Sequence, residues 1–308
     1  MTTLRFHLMM AAATLIFAVV TFAGCALTGI IIPGLLRSFC SFALFLLVML
    51  PVMLLFYYKR KFYLIDAFLL LLWAWICHHL IPDLLRVAAR LRMPLCDEML
   101  GKLDRNMGFN VNSIQLWASD HFLGRLISFT YGLGIILLAL SVLLPVFFKK
   151  PDAARRLIVA NLICFAIGVP LFALFPAIGP WRYFHTVPTH IQLIGCENPF
   201  LELRAYGTYT LTSQPAGIIC FPSFHVVWAV LSGATLWVFK RLRPYLLVLC
   251  TMITVSTLTT GWHYFVDVLG GLTISILSLA VSNYLLAAGP TRHRHLPNLL
   301  VTSPVEQE

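Results

Sequence analysis

Long apolar runs constrain this chain more than any other feature. Of its 308 residues, 60% are hydrophobic and only 11% are charged, whereas an average soluble protein has about 25% charged residues. Eight runs approach the length of about 20 residues that crosses a bilayer. Because an open strand edge in lipid would leave backbone groups unpaired, these runs predict helices. The chain is therefore predicted to be an all-α polytopic membrane bundle.

The predicted spans are separated by short connections and two longer ones. They are Leu8–Ile32, Phe39–Tyr58, Phe62–Ile81, Leu126–Phe148, Leu157–Pro176, Phe221–Phe239, Tyr245–Thr260 and Tyr264–Ala288. The chain accordingly divides into three N-terminal spans (1–82), an amphipathic loop (83–125), a transmembrane core (126–290) and a tail (291–308).

Clusters of basic residues indicate the orientation of these spans. The clusters follow spans two, four, six and eight, at Lys59–Lys61, Lys149–Arg156, Lys240–Arg243 and Arg292–Arg294. The positive-inside rule then predicts cytoplasmic N- and C-termini, with connections 82–125 and 177–220 on the outer face. The net charge of +10 reflects this orientation. Without a basic stripe or an aromatic platform, the sequence does not indicate a nucleic-acid partner.

The first outer connection, residues 82–125, begins with a regular pattern of apolar and basic residues. Apolar residues recur at helical spacing with arginines between them: Leu84, Val87, Ala88 and Leu91, with Arg86, Arg90 and Arg92. This pattern predicts an amphipathic helix that either lies on the outer leaflet or packs on the other spans. The acidic residues that follow match no metal-binding loop and predict a polar surface: Asp97, Glu98, Asp104 and Asp120.

Three cysteines, Cys96, Cys196 and Cys220, fall outside the predicted spans. In an oxidising outer compartment, a Cys196–Cys220 disulfide would tether the second outer loop. The odd number of outer cysteines keeps free thiols as the alternative. A zinc site formed by Cys196 with His185 and His190 has no typical ligand spacing, so we expect no metal and no cofactor.

The segment FPSFH, Phe221 to His225, opens the sixth predicted span. Pro222 suits the first turn of a helix, where its missing N–H has no effect. The free N–H groups of that turn and the Ser223 hydroxyl would form an anion site, and His225 could donate a proton to a leaving oxygen. Alone, a histidine at a span boundary is more typical of an interfacial anchor.

The segment GWHYFVD, Gly261 to Asp267, changes that interpretation. Asp267 follows His263 by four residues, which places both on one face if the segment is helical. A carboxylate that holds one ring nitrogen leaves the other as a base or nucleophile. The two segments together indicate phosphoryl transfer through a phosphohistidine. The alternative is a structural His–Asp pair.

A phosphate group also requires a fixed cation. Arg182, in the segment FPAIGPWRYF after the fifth span, is the best candidate, because a guanidinium holds phosphate bidentately. The alternative is an arginine that snorkels beside Trp181 and Tyr183.

Four segments together resemble the type 2 phosphatidic acid phosphatase superfamily, and most closely its inositol phosphorylceramide synthase-like branch. They are PLCDEMLGKLDRNMGF, FPAIGPWR, CFPSFHVVWAV and TGWHYFVDVLGG, within about residues 95–288. The resemblance implies a six-helix phosphatase-like core, a site at the outer or luminal face and no required metal. It also implies a role for each matching residue: His263 as nucleophile, Asp267 as its orienting carboxylate, His225 as general acid, and Ser223 and Arg182 as phosphate ligands.

Two cations of the broader superfamily are absent. Phe175 stands where the first motif has a lysine, and Thr257 stands where the third motif has an arginine. The synthase-like branch resembled here tolerates both changes.

The predicted function is an integral membrane lipid phosphatase or phosphotransferase that cleaves a lipid phosphoester at the outer face. The acceptor is water or an alcohol such as inositol. A lipid transporter or flippase is the competing class. Transporters carry ionisable residues near the bilayer midplane, whereas Asp66 and Asp267 lie close to the ends of their spans.

Overall fold

The structure of the chain, a computed structural model, is about 81% helical and describes residues 2–31, 35–210 and 218–287. In chain order, the helices are α1 (Thr3–Thr28), α2 (Leu35–Tyr58), α3 (Phe62–Arg90), α4 (Asp97–Asn106), α5 (Val111–Asp120), α6 (Phe122–Phe129), α7 (Leu133–Phe147), α8 (Pro151–Leu174), α9 (Pro180–Phe184), α10 (His190–Gln192), α11 (Asn198–Arg204), α12 (Phe224–Leu236), α13 (Arg243–Thr259) and α14 (Phe265–Ala287). The other regular elements are 3-10 turns at Thr130–Gly132 and Lys240–Leu242, a π turn at Leu193–Glu197, and two parallel strands, β1 (Ile30–Ile31) and β2 (Tyr209–Thr210).

Six helices of the described chain are long and apolar enough to cross a membrane. They are Thr3–Thr28, Phe62–Arg90, Phe122–Phe147, Pro151–Leu174, Lys240–Thr259 and Phe265–Ala287. The second and sixth predicted spans correspond to shorter apolar stretches, Leu47–Tyr58 and Phe224–Leu236. The prediction of an all-α polytopic membrane bundle is confirmed.

The patterned segment after the third span continues α3, which ends only at Arg90. Its apolar residues Leu84 and Ala88 are buried, and so are Arg86 and Arg90, with 4% and 3% exposure. A helix lying on the leaflet would leave its arginines in the headgroup region, so that alternative is wrong and the packed helix is correct. The predicted four-part division of the chain stays a prediction, and its tail (291–308) lies outside the described residues.

Arg90 joins three parts of the chain. Its Nε donates to the carbonyl oxygen of Thr28 at 3.1 Å, and its Nη1 donates to those of Leu203 and Ala205 at 2.5 Å each. Its Nη2 donates to the carbonyl oxygen of Gly207. A buried guanidinium is costly unless its donors are paired, and these carbonyl groups supply the pairing. The end of α1 and the segment after α11 are thereby attached to α3.

Helix α8 packs against α3, α7, α12 and α14. The ring of Phe165 on α8 stacks on that of Phe224 at the start of α12, with centroids 4.2 Å apart. A Cβ at Gly168 would lie 2.7 Å from the Phe224 ring, so this close approach requires glycine. The start of α12 is also joined to the start of α14, since the Ser223 N–H donates to the Asp267 carbonyl at 3.1 Å. Both histidine segments therefore lie at one end of the bundle.

Candidate active site

Helix α12 begins at Phe224, with Ser223 at its N-cap position. The prediction that Pro222 occupies the first turn is wrong, because the helix begins two residues later. His225 lies in that first turn and is half-buried. The Ser223 hydroxyl is buried and has no hydrogen-bond partner among the described atoms. The structure thus leaves one hydroxyl available beside His225.

The second histidine lies in a turn rather than in a helix. Helix α13 ends at Thr259 and α14 begins at Phe265, so His263 lies between two helices, as the predicted spans place it, and the condition that the whole segment is helical is not met. Gly261 makes this turn with a φ of +71°, and a Cβ there would lie 2.4 Å from the side-chain oxygen of Gln115. The backbone conformation therefore favours glycine, and a larger residue would also have to displace the Gln115 amide.

His263 and Asp267 nevertheless meet. The Nδ1 of His263 lies 3.4 Å from the Oδ2 of Asp267 and 2.9 Å from the carbonyl oxygen of Cys220. A carbonyl oxygen can only accept a hydrogen bond, so Nδ1 carries the proton and the lone pair of the ring lies at Nε2. Both residues are buried, at 3% and 0% exposure. The contact of a carboxylate with Nδ1, predicted from the spacing, is present, although a backbone carbonyl is the closer acceptor.

The Asp267 carboxylate is itself held by donors. Its Oδ2 accepts from the Tyr264 N–H at 2.8 Å and from the Cys220 thiol at 3.1 Å. Of the two alternatives for Cys196 and Cys220, the structure has the free thiols and not the disulfide, and both thiols are buried. Cys196 lies 3.9 Å from the Ile178 carbonyl oxygen instead, so each thiol has its own acceptor.

The two imidazole rings are close. The ring centroids of His225 and His263 are 6.0 Å apart, with an angle of 58° between the ring planes. His225 stacks on Tyr131 at 3.9 Å, and Trp228 contacts it at 5.4 Å. Aromatic rings, rather than hydrogen-bonding groups, thus surround the first histidine, and Tyr131 was not anticipated from the sequence.

Arg182 is the one predicted site residue with a competing partner. Its Nη1 lies 3.3 Å from the Oε1 of Glu197, and its side chain is 45% exposed. Helix α9, which carries Arg182, is joined to the second histidine segment through Trp181, whose ring lies 6.0 Å from that of Trp262. The Glu197 side chain is only 11% exposed and also accepts from the Trp181 Nε1 at 2.7 Å, so it keeps a donor when Arg182 turns away. The structure therefore brings Ser223, His225, His263 and Asp267 together and pairs Arg182 with Glu197.

Two acidic residues that were predicted to form a polar surface are buried instead. Asp97 accepts from the N–H groups of Ile178 and Gly179, at 3.0 and 2.9 Å, and from the Tyr264 hydroxyl at 3.1 Å. Burial raises the pKa of the Asp97 carboxyl. This carboxylate thereby joins α4 to the segment before α9 and to the second histidine segment.

Asp104 acts on the next segment along the same helix. It accepts from the N–H groups of Phe265 and Val266, at 2.7 and 2.9 Å, which are the first N–H groups of α14. Burial raises the pKa of the Asp104 carboxyl to about 6. Asp97 and Asp104 are seven residues apart, and this spacing of two helical turns could have indicated a shared buried face.

One group of three side chains in the described part of the chain could hold a metal ion. Cys220, His263 and Asp267 offer ligand atoms within 4.8 Å of one another. These atoms already hydrogen-bond to each other or to the backbone. The predicted absence of a metal or cofactor stays a prediction.

A comparison with known protein families places this geometry in context. The model of the PAP2 superfamily matches residues 98–281, a range that contains all five predicted site residues. No curated protein and no solved structure matches the chain. Because the family match extends over more than half of the 308 residues, the chain belongs to the PAP2 superfamily.

Proposed function

We propose that this protein is a membrane enzyme that cleaves a lipid phosphoester through a phosphohistidine at His263. Members of the PAP2 superfamily are phosphoesterases or phosphotransferases, which supports the enzyme class. One observation carries the proposal: His263 is held through Nδ1 by the Cys220 carbonyl and Asp267, with the His225 ring 6.0 Å away. A phosphoryl group between these rings can contact both.

In the proposed first step, the Nε2 lone pair of His263 attacks phosphorus. The N–P bond forms while the bond from phosphorus to the leaving oxygen breaks, and protonated His225 gives its proton to that oxygen. The imidazole of His263 gains positive charge as the N–P bond forms. The buried Asp267 carboxylate, 3.4 Å from Nδ1, stabilises that charge.

The second step returns the enzyme to its starting state. Neutral His225 takes a proton from water or an alcohol, whose oxygen attacks phosphorus as the N–P bond breaks. Ser223 and Arg182 are the proposed phosphate ligands. The Ser223 hydroxyl is buried without a partner among the described atoms. Phosphate can replace Glu197 as the partner of Arg182, because the Arg182 side chain is 45% exposed and Glu197 keeps the Trp181 donor.

The missing cations favour a headgroup transferase of the inositol phosphorylceramide synthase-like kind as the second candidate. Phe175 packs edge-on against Phe221, with ring centroids 6.1 Å apart, and Thr257 is buried and bonds to the Thr254 carbonyl. A phosphodiester carries one negative charge and a phosphomonoester up to two. A site with fewer fixed cations therefore suits a diester, such as a lipid that donates its headgroup.

The test is a panel of lipid phosphomonoesters and phosphodiesters, assayed with purified protein in detergent with and without inositol. Phosphate release indicates a phosphatase, and a new inositol-containing lipid indicates a transferase. Turnover without a membrane gradient separates both from a transporter. Labelled substrate should leave an acid-labile, alkali-stable phosphoryl group on the wild type and none on His263→Ala. Normal turnover by His263→Ala would refute the mechanism.

The proposed orientation has cytoplasmic termini and the histidines at the outer face. It is supported by the basic clusters, which lie at the ends of the spans opposite the two histidine segments. Reporter fusions at positions 152 and 200 should report opposite sides of the membrane. Reporters on the same side would contradict the orientation and leave the chemistry untouched.

A further inference from the structure

The end of the bundle opposite the histidines contains a cavity of about 580 Å³. It lies where α8 begins and where α12 and α14 end, and Asp267 and Asn283 mark the two ends of α14. At 1.5 Å per residue, these two positions are about 24 Å apart along the helix. The cavity is therefore separate from the candidate active site.

The lining of this cavity combines cations with apolar side chains. Lys150, Arg155 and Arg156 contribute the cations, Asp152 contributes one carboxylate, and Val238 and Leu286 contribute apolar surface. The first turn of α8, a helix of 24 residues, lies at the same place. Its unpaired N–H groups add positive potential.

The three cations differ in how they are neutralised. Arg155 pairs with Asp66 and Asp152, at 2.6 Å each. Lys150 and Arg156 donate to backbone carbonyl oxygens of Val238 and Ala234, at 3.3 and 3.1 Å. In the described part of the chain, these two side chains have no carboxylate partner.

Further donor capacity remains in the cavity wall. The Nε atoms of Arg155 and Arg156 are buried and have no hydrogen-bond partner among the described atoms. Arg155 is held in position by Asp66, which is itself part of a hydrogen-bonded chain. Asp66 lies 3.0 Å from the Nε2 of His7, and the Nδ1 of His7 accepts from the Trp73 Nε1 at 3.0 Å. The cationic side of the cavity is thus held in place by a buried polar network.

We propose that this cavity binds one anionic phospholipid from the adjacent leaflet, which the charge distribution predicts to be the cytoplasmic one. The headgroup phosphate would bind to Lys150 and Arg156 beside the first turn of α8. The upper parts of the acyl chains would contact Val238 and Leu286. The excess of positive charge favours an anionic headgroup over a zwitterionic one, and the apolar wall favours a lipid over free phosphate.

The test measures lipid binding to the full-length protein in detergent by native mass spectrometry. The probes are phosphatidylglycerol, phosphatidylcholine and inorganic phosphate. We expect one phosphatidylglycerol to bind at least about tenfold more tightly than phosphatidylcholine, and inorganic phosphate not to displace it. Binding of phosphate as tight as that of phosphatidylglycerol would overturn the assignment to a lipid.

The Lys150→Gln/Arg156→Gln double variant should lose that preference. The matched control is Lys240→Gln/Arg241→Gln, which removes the same charge from exposed positions at the same end of the bundle. An equal loss in both double variants, or no loss in the first, would overturn the proposal. If the first variant does not fold, Val238→Trp tests the same cavity by filling it with its charges intact. Unchanged phosphatidylglycerol binding by that variant would also overturn it.

Discussion

The two candidate histidines lie 6.0 Å apart and are held in different ways. His263 is 3% exposed, and its Nδ1 faces two acceptors, the Cys220 carbonyl and the Asp267 carboxylate. His225 is half-buried and is contacted by the faces of aromatic rings, principally Tyr131. The hydrogen bonds thus fix both the orientation and the tautomer of the His263 ring. Stacking fixes only the plane in which the His225 ring lies.

This difference matches what the two proposed roles require. A nucleophile must present one lone pair along one line to phosphorus, and hydrogen bonds at the opposite nitrogen enforce that direction. A group that gives up and then recovers a proton must change its charge in each half-reaction, and stacking permits this without breaking a hydrogen bond. The contacts that fix a tautomer are therefore made at His263.

The largest expected effects are on the turnover of His263→Ala and His225→Ala, and the leaving group of the substrate distinguishes the two roles. His263→Ala should lower turnover by about 10⁴-fold or more on every substrate, because no covalent intermediate can form. His225→Ala should lose about 10²–10⁴-fold on a lipid alkyl phosphate. The leaving oxygen of p-nitrophenyl phosphate needs no proton. On this substrate, the rate of phosphoenzyme formation by His225→Ala should therefore fall much less. The measurement is single-turnover release of the leaving group.

Equal losses by His225→Ala on both substrates would contradict its role as a general acid. Recovery of His263→Ala on the activated substrate would contradict its role as the nucleophile. Far-ultraviolet circular dichroism on both variants serves as the control for folding.

Asp267→Asn should reduce turnover by roughly 10³-fold, because an amide cannot neutralise the charge on phosphorylated His263. The Tyr264 N–H and the Cys220 thiol both donate to Oδ2, so the amide oxygen can keep these bonds while the NH2 group takes the buried Oδ1 position, which has no partner among the described atoms. The measurement is kcat in steady state, with phosphoenzyme accumulation alongside. A loss of stability with nearly normal kcat in the folded fraction would indicate that the His–Asp pair is only structural.

Asp104→Asn should affect the fixed histidine more than the stacked one. It removes one of two carboxylate oxygens that accept from the first N–H groups of α14, which should destabilise the protein by about 1–3 kcal/mol. We also expect turnover to fall about tenfold, because a small displacement of His263 misaligns the attack. The control is Glu98→Gln on the same helix, where the side chain is 76% exposed and should have no effect on turnover. Equal values for the two variants would contradict a positioning role for α4.

Tyr131 tests the stacked histidine. Tyr131→Phe keeps the ring and should change turnover little. Tyr131→Leu removes the stacking partner, which is worth about 0.5–1.5 kcal/mol, and should lower turnover about three- to tenfold. The pH profile of kcat is the second measurement, since only a change at His225 should move it. A larger effect of Tyr131→Phe would indicate that the hydroxyl, rather than the ring face, acts at the site.

The smallest expected effect concerns the thiols beside the fixed histidine. Because Cys196 and Cys220 are free, a reducing agent should change neither activity nor melting temperature. Cys196→Ser is the matched variant, and it should likewise retain activity. A fall in melting temperature on reduction would show that a disulfide forms in the protein.

Most of the fold could be predicted from the sequence, because membrane-spanning helices reveal themselves through length and hydropathy alone. The end of α3 could not be predicted in the same way. Arg86 and Arg90 are typical of a helix exposed to headgroups or water. Arg86 is paired locally with Asp83, whereas the burial of Arg90 depends on partners remote in sequence, such as Leu203. A pattern of charged residues predicts an exposed helix only where no distant part of the chain supplies hydrogen-bond acceptors for them.

The candidate site was predictable where side chains interact locally. His263 and Asp267 are four residues apart, and the prediction that they meet needed only a compact turn. The Cys220 carbonyl could not be found in this way, because every residue carries the same acceptor. Asp97 and Asp104 were misinterpreted because their donors are backbone N–H groups on distant segments.

The bonds made by Arg90 have a consequence for how this protein can be divided. The family match begins at residue 98, which suggests a catalytic unit that could be excised from the helices before it. Excision would remove the guanidinium that satisfies the carbonyl groups of Leu203 and Ala205, and a buried acceptor left unpaired costs about 1–3 kcal/mol. Helix α3 is therefore an integral part of the folding unit, and a minimal version of this protein has to retain it.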